Sequence, residues 1–484
     1  MNWKVISRNI GYALLVSALF MLLSVFVSVI EGNDSALAAL IISFTITFTV
    51  GIFPFIFVRK TPAITLKEGY VIITLSWFLS FVFGMLPYAL WGGPFTLQNA
   101  WFESVSGFTT TGATVLENVE ALPGSLLFWR SSTHFIGGLG VVVFLLLIIP
   151  NSSPIRLRLT NMELSSLSRG AYSSRPNKTV YIFAYVYLAI CLGAFVGYLL
   201  AGMPLLDAAC HAMSVGATGG FSTRNMSIAS FNSRPVEFVT MLFMLLSSLH
   251  FGLIYLSVIN RSLKPFNNPV TKFYLGSVVV VSLVVAVSIR LASCAASFGD
   301  AMWQGVFQTI SVVSTSGFAI ADNVSWPVLP NVLLLFMAVM CGCAGSTTGG
   351  VKVDRVLVFI KSISRQVYRY LHPSSVYEVR MGRRILHHPD IYPHLLYLAL
   401  YAVILAFSVL VFLLTGMSAE NAFAAPITCL GNVGPAIGEI GMMGNFNGLP
   451  ELSKFFCTVD MFLGRVEIYP VLTVFAMIFD GQKR

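Results

Sequence analysis

Charge is scarce in this chain. Only 10% of its 484 residues are Asp, Glu, Lys or Arg, against about 25% in an ordinary soluble domain. That excludes a string of soluble domains, whose surfaces could not be covered. Catalytic groupings are lacking as well: there is no Ser-His-Asp set, no paired carboxylates and no Gly-Lys-Ser/Thr nucleotide loop. No enzymatic activity and no catalytic cofactor are expected. The seven cysteines (Cys191, Cys210, Cys294, Cys341, Cys343, Cys429 and Cys457) lie in or beside apolar runs in no metal-ligand spacing, and read as small packing residues. Histidine is sparse too. His387 and His388 fall in a basic stretch and read as solvated, whereas His134, His211 and His250 read as polar groups satisfied between helices.

What the chain does have is apolar residue, 56% of the total, with a mean hydropathy of +0.82. It reads as an all-α polytopic membrane protein in contact with lipid. A spanning helix needs about 20 apolar residues, and ten stretches qualify: about 10–30, 37–58, 69–91, 126–149, 179–201, 235–259, 271–292, 330–360 (interrupted), 392–415 and 452–479. Lys4 and Arg8 precede the first, which is long enough to span and is read as an uncleaved helix rather than a signal peptide. The net charge of +9 would suggest nucleic acid in a soluble protein. Here the basic residues sit in the connections, where they set orientation, and no nucleic-acid partner is expected. With the N-terminus inside, most Lys and Arg fall on the inner side, including Lys4, Arg8, Arg59, Lys60, Lys352, Arg355, Arg365, Arg380, Lys483 and Arg484. Only Arg224, Arg234, Arg290 and Lys454 are clearly outer. This predicts a multi-pass inner-membrane protein with both termini cytoplasmic.

Four glycines organise the rest: Gly112, Gly219, Gly317 and Gly434, separated by 107, 98 and 117 residues. Each closes a short semi-apolar segment (about 99–108, 207–215, 300–313 and 419–430) that is too short to cross a membrane. Asn99, Asp207 and Asp300 read as N-caps of three of these. The pattern predicts four copies of helix, re-entrant half-helix, Gly loop, helix, closed around one axis after two extra N-terminal helices. Non-helical backbone at membrane depth must line a water-filled path or be buried in protein. Four loops of carbonyls on one axis would replace the hydration shell of a potassium-sized ion. Glycine supplies the φ > 0 that inward-pointing carbonyls require, and outer carboxylates would concentrate cations at the mouth.

Thr-Thr-Gly-Ala-Thr at 110–114, Ala-Thr-Gly-Gly-Phe-Ser-Thr at 217–223, Thr-Ser-Gly-Phe at 315–318 and Gly-Asn-Val-Gly-Pro at 431–435 together resemble the Trk/Ktr/HKT superfamily of cation transporters, in particular its bacterial Trk-type pore subunits. The likeness covers essentially the whole chain. It implies two N-terminal helices (1–68) and pore repeats at 69–160, 161–264, 265–384 and 385–484. It also implies a potassium filter of Thr110, Thr111, Gly112, Ala217, Thr218, Gly219, Thr315, Ser316, Gly317, Asn432, Val433 and Gly434. In the HKT branch, serine in place of the first filter glycine goes with sodium selectivity, so Gly112 favours potassium as the transported ion. Further implications are a homodimer and a cytosolic TrkA-type NAD/nucleotide-binding regulatory ring, for which the basic stretch 352–384 is the expected dock.

Two features fall on the expected ion path. The eighth span is broken at 341–350, where Gly342, Gly345, Ser346, Thr347, Thr348, Gly349 and Gly350 make a poor helix. The stretch reads as a flexible gating loop under the filter, as the resemblance also implies, or else as a kink packed by its neighbours. Arg465 lies in the middle of the last span. A central membrane Arg costs about 2.5–3.5 kcal/mol on insertion scales, so it must face a partner or water. It reads as a cation barrier below the filter, with pairing to Asp460 or Glu467 as the alternative. Competing functional classes are an alternating-access solute carrier, which predicts inverted repeats and buried substrate-binding charges, and a membrane-embedded enzyme, for which no catalytic cluster is visible.

Overall fold

The computed structural model describes residues 1–58, 64–148, 176–375, 377–382, 384–435 and 437–481. Two long helices, α1 (Trp3–Ile30) and α2 (Leu37–Phe57), pack against each other at the start of the chain. Helix α1 begins where the Asn2 side chain accepts the Lys4 amide. One face of α2 (Ile42, Ile46, Phe53 and Ile56) is exposed, as expected for a helix that faces lipid.

Four similar units follow. The first has α3 (Leu66–Gly84), the short α4 (Leu86–Trp91), a short buried α5 (Leu97–Phe108) and α6 (Gly124–Ile148). A capping box of Thr65 and Glu68 starts α3. The second has α7 (Pro176–Leu200), short α8 (Leu205–Gly216), and the pair α9 (Arg234–Ser248) and α10 (Phe251–Ile259). In the third, α11 (Pro269–Leu291) and short α12 (Phe298–Val313) lead to α13 (Val328–Met340) and α14 (Val353–Leu371). In the fourth, α15 (His388–Leu414) and short α16 (Ala419–Leu430) lead to α17 (Glu451–Val466) and α18 (Ile468–Gly481).

Among the described residues six helical stretches, with α3 and α4 taken as one, are long and apolar enough to cross a membrane, or seven with the bent pair α9 and α10 counted as one. Those six lie in six of the ten expected spans. The stretches expected at 235–259 and 452–479 are not continuous. The former turns through 102° between α9 and α10, and the latter breaks at Glu467, whose φ is +63°. Pro470 cannot donate to the Val466 carbonyl and favours the second break locally, and tertiary partners hold both. The first amide of α10, on Phe251, donates to the Gly345 carbonyl of another repeat, and the Glu467 carboxylate is taken by Arg355.

The caps also differ from expectation. Thr96, Ser297 and Ser418 accept the amides of Asn99, Asp300 and Asn421, while α8 starts after Pro204 with no side-chain cap. Asn99, Asp207 and Asp300 therefore stand at the third helical position. There a carboxylate still favours the positive helix end, and Asp207 and Asp300 pair with Arg224 and Arg234. The stretch between α14 and α15 holds an element not foreseen, a hairpin of β1 (Val379–Met381) and β2 (Arg384–Leu386) with Arg380 opposite Ile385. The Lys361 ammonium donates to the Arg380 carbonyl and fixes the hairpin against α14. The boundary expected near 160, and inner basic residues such as Arg59, Lys60, Lys483 and Arg484, lie outside the described residues.

Candidate functional site

The four short helices all end in the same way. At their C-termini an amide reaches back to the carbonyl five residues earlier: Thr111 to Ser106, Gly219 to Ser214, Ser316 to Ser311 and Val433 to Thr428. The preceding amides bond inside that loop, Thr110 to Gly107, Thr218 to Val215, Thr315 to Val312 and Asn432 to Cys429. This is the Schellman cap, whose pivotal residue takes the left-handed conformation. Usually that residue is glycine. Here it is Thr110 (φ +53°), Thr218 (+56°), Thr315 (+56°) and Asn432 (+54°). Branched residues in this region are strained, and such strain gathers at functional sites.

Two residues further on, every loop has a glycine at positive φ: Gly112 (+79°), Gly220 (+86°), Gly317 (+69°) and Gly434 (+85°). In the second loop this is Gly220, not Gly219, so the expected triplet Ala217, Thr218, Gly219 is displaced by one. Ala217 is the helix cap, and the residues in register with Thr110, Thr111 and Gly112 are Thr218, Gly219 and Gly220. The shift brings all four repeats into one register. Counted back six from Gly112, Gly220, Gly317 and Gly434, the chain has Ser106, Ser214, Ser311 and Thr428, a hydroxyl in every repeat. Two of these, Ser106 and Ser311, donate to the outgoing carbonyls of Ala113 and Phe318 at 2.6 Å.

The loops meet in a closed ring. A methyl group on Gly112 would overlap the Gly219 carbonyl oxygen, one on Gly220 that of Ser316, one on Gly317 that of Val433, and one on Gly434 that of Thr111. Each loop thus abuts the next in cyclic order, and the fourth closes on the first. The left-handed residues form a second tier: the Thr315 and Thr218 hydroxyls lie 3.5 Å apart, and the Asn432 amide donates to Thr111 Oγ1 at 3.0 Å.

Against that tier lies the stretch 341–350. The Gly349 amide donates to Thr315 Oγ1 at 3.4 Å, and a side chain on Gly349 would meet Asn432. Thr347 Oγ1 donates to the carbonyls of Gly216 and Ser247 at 3.2 and 3.3 Å, and Asp354 accepts the Ala344 amide at 2.7 Å. Gly345 and Gly350 take positive φ (+79° and +66°), as do Cys341 and Lys352 at the two ends. Gly342 packs on Thr348, and Ser346 on the same hydroxyl at 2.7 Å. Arg465 is 6% exposed. Its guanidinium donates to the Thr347 carbonyl at 2.6 Å and the Gly137 carbonyl at 2.8 Å. Neither same-helix alternative holds its guanidinium: Glu467 pairs with Arg355 at 2.8 Å, and Asp460 accepts from Ser408 at 2.8 Å.

Behind the ring is a buried ion pair that sequence reasoning missed, Glu103 with Arg130. Arg130 also donates to the Ser222 carbonyl at 2.9 Å and lies 3.5 Å from the centre of the Phe221 ring. The third face of Phe221's surroundings is His134, whose ring stacks on it at 4.1 Å. Among the described residues no cluster of His, Cys, Asp and Glu could hold a metal ion. The donor set at the ring is instead carbonyl and hydroxyl oxygen, which suits hard monovalent cations.

A family model described as TrkH, cation transport protein, matches residues 37–483. The Trk system potassium uptake protein TrkH of Salmonella typhimurium is 30% identical over 483 residues, 99% of each chain. That of Halomonas elongata is 31% identical over 489 residues, again 99% of each. The crystal structure of the potassium transporter TrkH from Vibrio parahaemolyticus superposes with a TM-score of 0.88 at 30% identity, covering 98% of both chains. By the extent of these matches, the chain belongs to the TrkH family of cation transport proteins.

Proposed function

We propose that this protein takes up potassium across the bacterial inner membrane through a single pore in each chain, with the ring of four loops as its selectivity filter. The observation that carries this reading is the cyclic contact of glycine with carbonyl from Gly112 through Gly220, Gly317 and Gly434. Four backbone oxygens held in such a ring can replace the water around a potassium ion. The relatives named above are potassium uptake proteins and transporters rather than enzymes, which favours the same ion. The filter residues are then Thr110, Thr111, Gly112, Thr218, Gly219, Gly220, Thr315, Ser316, Gly317, Asn432, Val433 and Gly434.

The stretch 341–350 is the gate, held closed under the filter by Arg465, which also sets a positive barrier in the path. The basic stretch 352–384 faces the cytosol with both termini and docks a nucleotide-binding regulatory ring, and the pore subunit is a homodimer. Cells without potassium uptake systems test the transport reading. Expression of this chain is expected to restore growth at low external potassium, and neutralising Lys361, Arg365, Arg369 and Arg380 is expected to abolish co-purification of the regulator. Failure of growth with protein present in the membrane contradicts the uptake reading, and unaltered co-purification contradicts the dock.

A further inference from the structure

Three residues before each Schellman hydroxyl, the four short helices carry Glu103, His211, Gln308 and Ala425. The first three are buried and each fastens its helix to the chain leaving its own loop. Glu103 accepts from the Thr114 hydroxyl at 3.0 Å and from the Val115 amide at 3.2 Å. Arg130, paired with Glu103, extends that clamp to the second loop through the Ser222 carbonyl. His211 Nδ1 lies 2.7 Å from the Asp207 carbonyl, which can only accept, so Nδ1 carries the proton and Nε2 accepts from the Ser222 hydroxyl at 2.9 Å. Ser222 Oγ in turn accepts the Arg224 amide at 3.0 Å. Gln308 donates to the Ala321 carbonyl at 2.8 Å. In the fourth helix Ala425 offers no such group, and the tie comes instead from Asn421, whose side-chain amide donates to Glu439 in the chain leaving that loop at 3.0 Å.

We infer that Glu103 with Arg130, His211 and Gln308 are positioning residues that set the width of the ring. The stretch 341–350 and the Arg465 helix touch the third and fourth loops: the Gly349 amide donates to Thr315 Oγ1 at 3.4 Å, the Asn432 amide donates to the Met461 carbonyl of α17 at 2.8 Å, and a side chain on Gly349 would meet Asn432. Discrimination between ions of similar charge depends on how firmly carbonyls resist closing on the smaller one. The clamps on the first three loops supply that resistance. The inference rests on the filter reading above.

The test measures potassium and sodium flux into proteoliposomes for the wild type, Glu103→Gln, His211→Leu, His211→Gln and Gln308→Leu, each normalised to folded, monodisperse protein. Loss of a charged clamp that serves two loops is expected to lower the potassium-to-sodium ratio about tenfold, and loss of one neutral bond about threefold. His211→Gln, which keeps a polar group facing Ser222, is expected to stay nearer the wild-type ratio than His211→Leu. Should Glu103→Gln fail to fold because Arg130 is left unpaired, Gln308→Leu carries the test, since it strands no charge. Wild-type ratios in Gln308→Leu and His211→Leu, with a selective wild type, overturn the clamps and leave the filter standing. A wild type that does not discriminate overturns the filter itself.

Discussion

Gly112→Ser is expected to lower the potassium-to-sodium flux ratio by about tenfold or more while leaving the protein in the membrane. Two effects combine. At φ +79° a side chain is held in a region that costs about 1–3 kcal/mol, and its Cβ would overlap the Gly219 carbonyl oxygen. That oxygen belongs to the ring, so relief of the overlap moves one of the four groups proposed to replace ion hydration. A tenfold loss of discrimination needs a shift of only about 1.4 kcal/mol between the two ions, less than the disturbance imposed. Gly276→Ser is the control. Gly276 sits in α11 with open space where its Cβ would go, and the substitution is expected to change neither flux nor selectivity. Equal ratios for Gly112→Ser and the wild type would remove Gly112 from the ion path.

Arg465→Gln is expected to raise potassium flux in the absence of any regulator, by about tenfold if one charge-assisted hydrogen bond holds the closed loop. The guanidinium grips two carbonyls at once, Thr347 of the stretch 341–350 and Gly137 of α6. Its removal takes away both the latch and a fixed positive charge, and both changes favour cation passage. Arg465→Lys is expected to fall between the two. An ammonium is a point donor without the planar fork, so it keeps the charge and loses one of the two grips. Selectivity should be unaltered in both, because the two carbonyls that Arg465 grips, on Thr347 and Gly137, are not ring carbonyls. Flux in Arg465→Gln at or below the wild-type level, with the same amount of folded protein, would contradict the latch.

The parts of this architecture that follow from local chemistry were legible in the sequence. Apolar length gave the long helices, and the recurrence of Thr, Ser and Gly gave four loops and their common place in each repeat. The one-residue slip in the second loop has a simple cause: Gly219 and Gly220 are adjacent, and only the positive φ of Gly220 tells them apart. The caps slipped by one turn for a related reason, since Asn and Asp serve both as caps and as third-position residues. Tertiary partners were not legible. The Glu467 carboxylate is taken by Arg355, the first amide of α10 by a carbonyl of the stretch 341–350, and the Arg465 guanidinium by two carbonyls from other repeats. The buried pair of Glu103 and Arg130 likewise joins two elements of one repeat and reaches into the next. No periodicity along the chain announces such contacts.

The central claim is that ions pass through the ring of four loops and are sorted there by size. Purified protein in liposomes, offered potassium, rubidium, sodium and lithium in turn, tests it most directly. The ring predicts that potassium and rubidium enter and compete with each other, while sodium and lithium are largely excluded. Flux indifferent to cation size would contradict the ring as the selective element, and an alternating-access carrier would then be the better description.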